Sequence, residues 1–186
     1  NLLWTGSGGS DWNTTPANTN WADIDDSNNP APFATNDNVT IDTAATIAVD
    51  AGCVSPGNVL VSATTGTISL SGGAISGLSL AKSGRSTLSI DGTNSFSSGA
   101  SLEGGILTME NPDALGSGII SLNGGTLNIP AAVTLVANTL SVGTSSGVID
   151  TDDDVIFSDS FSTSGAGIEE SNQLTKTGAG VLTLTR

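Results

Sequence analysis

The feature that most constrains the fold is a self-similarity at a spacing of twenty residues. Leu102-Glu103-Gly104-Gly105-Ile106-Leu107-Thr108-Met109 aligns with Leu122-Asn123-Gly124-Gly125-Thr126-Leu127-Asn128-Ile129. About twenty residues is one coil of a β-solenoid, whose units bury their apolar face only against stacked neighbours. The alignment predicts Leu over Leu and Gly-Gly over Gly-Gly, on strands ~4.8 Å apart. Leu70-Ser71-Gly72-Gly73-Ala74-Ile75 is a partial third copy.

Short β-like runs recur on either side of these copies. They are Thr67–Leu70, Leu78–Leu80, Thr87–Ile90, Ile106–Met109, Ile119–Leu122, Thr126–Ile129, Val133–Leu135, Thr139–Val142, Val155–Phe157 and Val181–Leu184. Most alternate apolar residues with Ser or Thr, which puts one set of side chains inside and the other outside. The 24 glycines fall largely between the runs, where tight turns need positive φ. Few windows repeat apolar residues at helical spacing, and Lys, Arg and Glu are scarce. Apolar residues make up 37% of the chain, so low charge here does not signal disorder. The fold class expected is all-β, a parallel β-helix.

Residues 1–45 differ from the rest. They hold Trp4, Trp12 and Trp21, together with Pro16, Pro30 and Pro32. A solenoid exposes its core at each end, and an aromatic-rich terminal segment is a fitting plug. We read 1–45 as an N-terminal cap and 46–186 as about seven coils, roughly 34 Å of solenoid. The pattern is expected to continue or to stack beyond 186, because open strand edges invite pairing with another chain.

A second echo spans 94 residues. Leu80-Ala81-Lys82-Ser83-Gly84-Arg85-Ser86-Thr87-Leu88-Ser89-Ile90 aligns with Leu174-Thr175-Lys176-Thr177-Gly178-Ala179-Gly180-Val181-Leu182-Thr183-Leu184. This pattern resembles the passenger-associated transport repeat of bacterial autotransporters, Leu-x-Lys-[Ser/Thr]-Gly-x-Gly-x-Leu-x-Leu. Arg85-Ser86-Thr87 replaces the glycine-containing link in the first copy. Asp113-Ala114-Leu115-Gly116 occupies the repeat's Ala-Leu-Gly position. The opening is similar to that of related secreted proteins through Trp4-Thr5-Gly6, Asn20-Trp21 and Asp37-Asn38-Val39-Thr40-Ile41. The resemblance implies a right-handed β-helix, exported by a signal peptide and displayed extracellularly or at the bacterial cell surface. The stack itself, with its open strand edges, is read as structural: a stalk, adhesin scaffold or end-to-end stacking fibre subunit.

Charge narrows the partners. Four basic against 18 acidic residues give a net charge of −14. Nucleic acid and anionic membrane surfaces are disfavoured, because both are held by Lys and Arg. No apolar run is long enough to span a bilayer. His is absent, which removes His-based triads. A polysaccharide lyase would need a basic residue beside calcium-binding acids, and only Lys82, Arg85, Lys176 and Arg186 are available. Lys82 and Lys176 hold equivalent repeat positions and are read as turn-exposed charges with their stems along the stack. The chain is therefore read as no enzyme and without cofactor.

Two sites stay open. Asp150, Asp152 and Asp154, with Asp153 and Asp159 beside them, form the densest carboxylate cluster. They are either a solvated loop or a calcium site, since calcium takes several converging oxygens. Trp4, Trp12 and Trp21 either plug the core or stack on surface glycans. Asn123, Asn128 and Asn138 are candidates for stacked polar ladders. Cys53, the single cysteine, is read as a small buried hydrophobe.

Overall fold

The computed structural model describes residues 1–135, 138–158, 161–162 and 173–185. Among them every regular element is a strand, and the strands stack as a parallel β-solenoid of about six turns. The first sheet stacks Leu2–Trp4, Val39–Ile41, Asn58–Val61, Ser79–Lys82, Ala100–Leu102, Ile120–Leu122, Leu140–Val142 and Phe161–Ser162. The second takes Asp11–Trp12, Ala45–Val49, Thr67–Gly72, Thr87–Ile90, Ile106–Met109, Thr126–Asn128, Gly147–Asp150 and Leu174–Thr177. A third side is made of shorter pieces, Ser76–Gly77 on Ser95–Phe96, then Val133–Leu135, Val155–Phe157 and Leu182–Leu184.

Register follows the sequence alignment. Leu102 lies over Leu122 and Leu107 over Leu127. Alternation along each strand sends every second side chain inward, so the interior fills with ladders. One runs Val39, Val59, Leu80, Ala100, Ile120, Leu140. Another runs Ile68, Leu88, Leu107, Leu127, Ile149. These residues are almost wholly buried. Each buried Leu or Ile contributes about 1.5–3 kcal/mol relative to exposure.

The partial copy at Leu70 sits elsewhere. Leu70 belongs to the second sheet and Leu102 to the first, so Gly72-Gly73 and Gly104-Gly105 turn different corners. Gly73 shows why glycine recurs at such corners. A Cβ there would lie 1.8 Å from the Asp50 carbonyl oxygen, so the coils stack this closely only without a side chain.

The parallel ladder begins before residue 46. Leu2–Trp4 and Asp11–Trp12 already pair in parallel with Val39–Ile41 and Ala45–Val49. Between them the chain leaves the coil as an antiparallel hairpin, Trp21–Asp23 against Asn29–Ala31, laid on the outer edge of Leu2–Trp4. Pro30 sits in the outermost strand. A proline there offers no N–H and blocks further pairing.

Candidate functional site

The aromatic residues lie inside the N-terminal end. Trp12 and Trp21 are fully buried and Trp4 is 4% exposed. Trp4 and Trp21 meet edge to face at 4.9 Å, Trp12 and Trp21 at 5.1 Å, and Trp12 and Phe33 at 5.5 Å. Such T-shaped pairs contribute beyond their area. The glycan-stacking role expected as one alternative for Trp4, Trp12 and Trp21 is corrected on this ground. A sugar needs an open ring face, and the faces are covered by one another and by Phe33. The sequence around them clasps the plug. The Asn20 carbonyl accepts from the N–H groups of Thr5 and Gly6, at 2.8 and 3.1 Å. The buried Asn20 amide donates to the Asp11 carbonyl and accepts from the Gly8 N–H, both at 2.8 Å.

The two lysines of the 94-residue echo are the least ordinary side chains. Lys82 takes an inward position between Val61 and Leu102 and is fully buried. Its ammonium donates to the carbonyls of Ser83 at 2.6 Å, Gly84 at 3.2 Å and Gly104, in the next coil, at 3.2 Å. Burial pushes its pKa below the ordinary lysine value. Lys176 repeats the arrangement. It donates to Thr177 at 2.8 Å, Gly178 at 2.7 Å and Thr151, in the preceding coil, at 3.2 Å. The expectation of turn-exposed charges is overturned for Lys82. The strand that delivers it ends facing inward, and the following turn folds its carbonyls back over the ammonium. Three donors meet three carbonyl acceptors, one of them in the adjacent coil, so the cage fastens one coil to the next.

The carboxylates are spread along one coil. Asp150 accepts from Thr177 Oγ1 at 2.7 Å and Asn128 Nδ2 at 3.2 Å. Asp152 accepts from the Ala179 N–H at 3.4 Å, and Asp154 from the Val181 N–H at 3.0 Å. Each carboxylate thus reaches across to residues 177–181 of the next coil. Among the described residues no three His, Cys, Asp or Glu side chains are grouped to hold a metal ion. Asp159 and Arg186 lie outside the described residues.

The asparagines act singly. Asn123 accepts from the Ser145 N–H, Asn128 donates to Asp150, and Asn138 donates to the Gly116 and Gly118 carbonyls. They do not stack on each other. A true ladder was missed at the other end of the coil, where Asn1, Asn38, Asn58 and Ser79 are bonded in succession. The buried Asn94 was missed too. It donates to Asp91 and Ala114 carbonyls and accepts from the Ile75 N–H, and with Asn138 it lines a shallow polar groove of about 290 Å³ on the third side. Cys53 is exposed with φ 72°, which corrects the buried reading. The residue sits left-handed in an exposed turn, and its thiol donates to the Val54 carbonyl at 3.4 Å.

No family model, curated protein or solved structure matches the chain.

Proposed function

We propose that the chain is an extracellular structural module, a length of rigid β-solenoid serving as stalk or adhesin scaffold at a bacterial surface. The observation that carries this reading is the pairing of a filled interior with an N-terminal aromatic plug and a hairpin over the first sheet's edge. Ladders of Val, Ile and Leu pack the coil, the Trp cluster fills its N-terminal end, and the Pro30-bearing hairpin covers the first sheet's edge. A stalk needs stiffness and a protected edge more than it needs a cleft. The Leu-x-Lys-[Ser/Thr]-Gly corners, similar to those of autotransporter passengers, support display outside the cell. We infer a non-catalytic role from the same residues, since the Lys82 ammonium is spent on carbonyls.

End-to-end stacking of copies would set one coil against the sealed hairpin edge. The hairpin therefore disfavours the first sheet's N-terminal edge as a fibre joint. Antibodies raised to the 186-residue chain test the reading on intact source cells. Surface labelling without permeabilisation is expected, and a signal seen only after lysis would overturn it.

A further inference from the structure

Asn123-Gly124 is the only Asn-Gly step in the sequence. It lies at the corner between Ile120–Leu122 of the first sheet and Thr126–Asn128 of the second. In a flexible chain such a step modifies itself. The glycine nitrogen attacks the asparagine Cγ, and no side chain hinders its approach.

The fold makes this reactive pair necessary. Gly124 has φ +122°, and a Cβ there would lie 2.7 Å from the Glu103 carbonyl oxygen. The close stack of the coils therefore calls for glycine. Asn123 Oδ1 accepts from the Ser145 N–H at 3.0 Å, which ties this corner to the next coil.

The same contacts restrain the pair. The Gly124 N–H donates to the Ser146 carbonyl at 2.6 Å. The attacking nitrogen and the carboxamide it attacks are thus both held by one turn, residues 143–146. That turn is closed by the Ser146 N–H on the Gly143 carbonyl at 3.2 Å, and it is anchored by the Gly143 N–H on the Leu122 carbonyl at 2.7 Å. Gly143 also packs against the carboxamide, since a Cβ there would lie 2.5 Å from Asn123 Oδ1. The bond from Ser145 polarises the carboxamide and favours attack. Ring closure, however, needs the Gly124 nitrogen to swing toward Cγ, which breaks its shorter bond to Ser146. The restraint decides, because attack cannot begin while that bond stands.

We infer that Asn123 is a self-modification site kept latent by the turn 143–146, and that it reacts only when this turn lifts away. A bond then forms from the Gly124 nitrogen to Cγ, the carboxamide C–N bond breaks, and the nitrogen's proton leaves with the released ammonia. Water opens the resulting succinimide at either carbonyl, giving aspartate or isoaspartate. Aspartate keeps the acceptor for Ser145. Isoaspartate lengthens the main chain by a carbon between Leu122 and Leu127, where Leu102 and Leu107 of the preceding coil fix the register. The ammonia is lost, so the residue keeps a record of past opening of the stack.

The test is peptide mapping by mass spectrometry after incubation in warm, mildly alkaline buffer, with the 186-residue chain compared folded and in urea. Conversion of Asn123 in the folded chain is expected to be about a hundredfold slower than in urea, an opening cost of about 2.7 kcal/mol. Gly143→Ala pushes the carboxamide off the turn, and circular dichroism checks that the variant is folded. It is expected to raise the folded rate about tenfold and to leave the rate in urea unchanged. Thr144→Ala, at an exposed position of the same turn, is expected to leave both rates unchanged. Equal conversion of the folded and unfolded wild type overturns the proposal. So does a folded Gly143→Ala that converts no faster than wild type, or a Thr144→Ala that converts as fast as Gly143→Ala.

Discussion

The corners at Lys82 and Lys176 share one sequence pattern and one cage, yet they occupy different places on the coil. Lys82 ends a strand of the first sheet, and its turn leads into the second. Lys176 lies in the second sheet, and its turn leads to the third side. Both ammonium groups bind the carbonyl of the next residue, that of the glycine after it, and one from an adjacent coil. The pattern therefore encodes a corner and is indifferent to which corner it makes. A 94-residue spacing needs no whole number of coils. The surroundings differ more than the cages do. Lys82 is covered by Val61 on one side and Leu102 on the other, while among the described residues Lys176 stacks on Ile149 alone.

The sharpest way to break this comparison is at the glycines. Gly84 has φ +68°, and a Cβ there would lie 2.3 Å from the Ala63 carbonyl oxygen. Gly178 has φ +76° and its Cβ would lie 2.3 Å from the Thr151 carbonyl oxygen. The local strain is the same. Gly84→Val forces it on a corner held from both sides, so urea unfolding should show a loss of about 4 kcal/mol or more. Gly178→Val should instead free the coil 174–185 locally, because among the described residues that coil is paired on one side alone, with Gly147–Asp150 and Val155–Phe157. Hydrogen exchange should quicken there while the urea midpoint moves by less than about 1 kcal/mol. Equal global losses would mean that both corners belong to one cooperative unit.

Replacing the cations comes next. Lys82→Met keeps an apolar stem of similar length in its ladder and strips three carbonyls of their donor. A buried group without a partner costs about 1–3 kcal/mol, and we expect about 3 kcal/mol from thermal unfolding. Lys176→Met exposes its carbonyls to water, which replaces the lost donor, so the same experiment should give under about 1 kcal/mol. A larger loss at Lys176 would reverse the ranking of the two corners.

These two residues also mark how far the sequence is readable. The coil repeat follows from period and alternation, whereas the strands Asn58–Val61, Ala100–Leu102 and Gly147–Asp150 lie outside the runs that alternation marks. Lys82 does not follow. A lysine in strand alternation reads as a residue whose charge escapes to water, and only the carbonyls folded over it at Ser83, Gly84 and Gly104 reveal otherwise. Its place in the inward ladder of Ile41, Val61 and Leu102 was the signal available. The ladder of Asn1, Asn38 and Asn58 was hidden because its members fall at unequal spacings. The acidic run was readable as a cluster, but its role in gripping residues 177–181 depends on which coil lies beside it.

That grip is peculiar to the second corner and gives a smaller effect. Asp154→Ala removes the acceptor of the Val181 N–H, an exposed bond. Its loss should cost about 0.5–1 kcal/mol, seen as faster exchange of the Val181 amide with little change at Lys82. An equal response at the Lys82 corner would show that the two are coupled through the stack.

The smallest effect concerns pH, and its sign separates burial from attraction. Burial lowers the Lys82 pKa from its ordinary value of 10.5, so the folded chain releases this proton before the unfolded chain does. Below the folded pKa the charge is carried inside at a cost. Between the folded pKa and 10.5 the unfolded chain binds more protons, and stability from this group rises with pH. Above 10.5 the amine is neutral in both states and the cost is gone. Wild type should therefore gain on Lys82→Met as the buffer moves from about pH 7 to about pH 10, with both melting temperatures measured side by side. A carboxylate holding Lys82 would raise its pKa and make the gap shrink over the same range. A shrinking gap would therefore place an acidic partner at the cage and end the account of it as carbonyls alone.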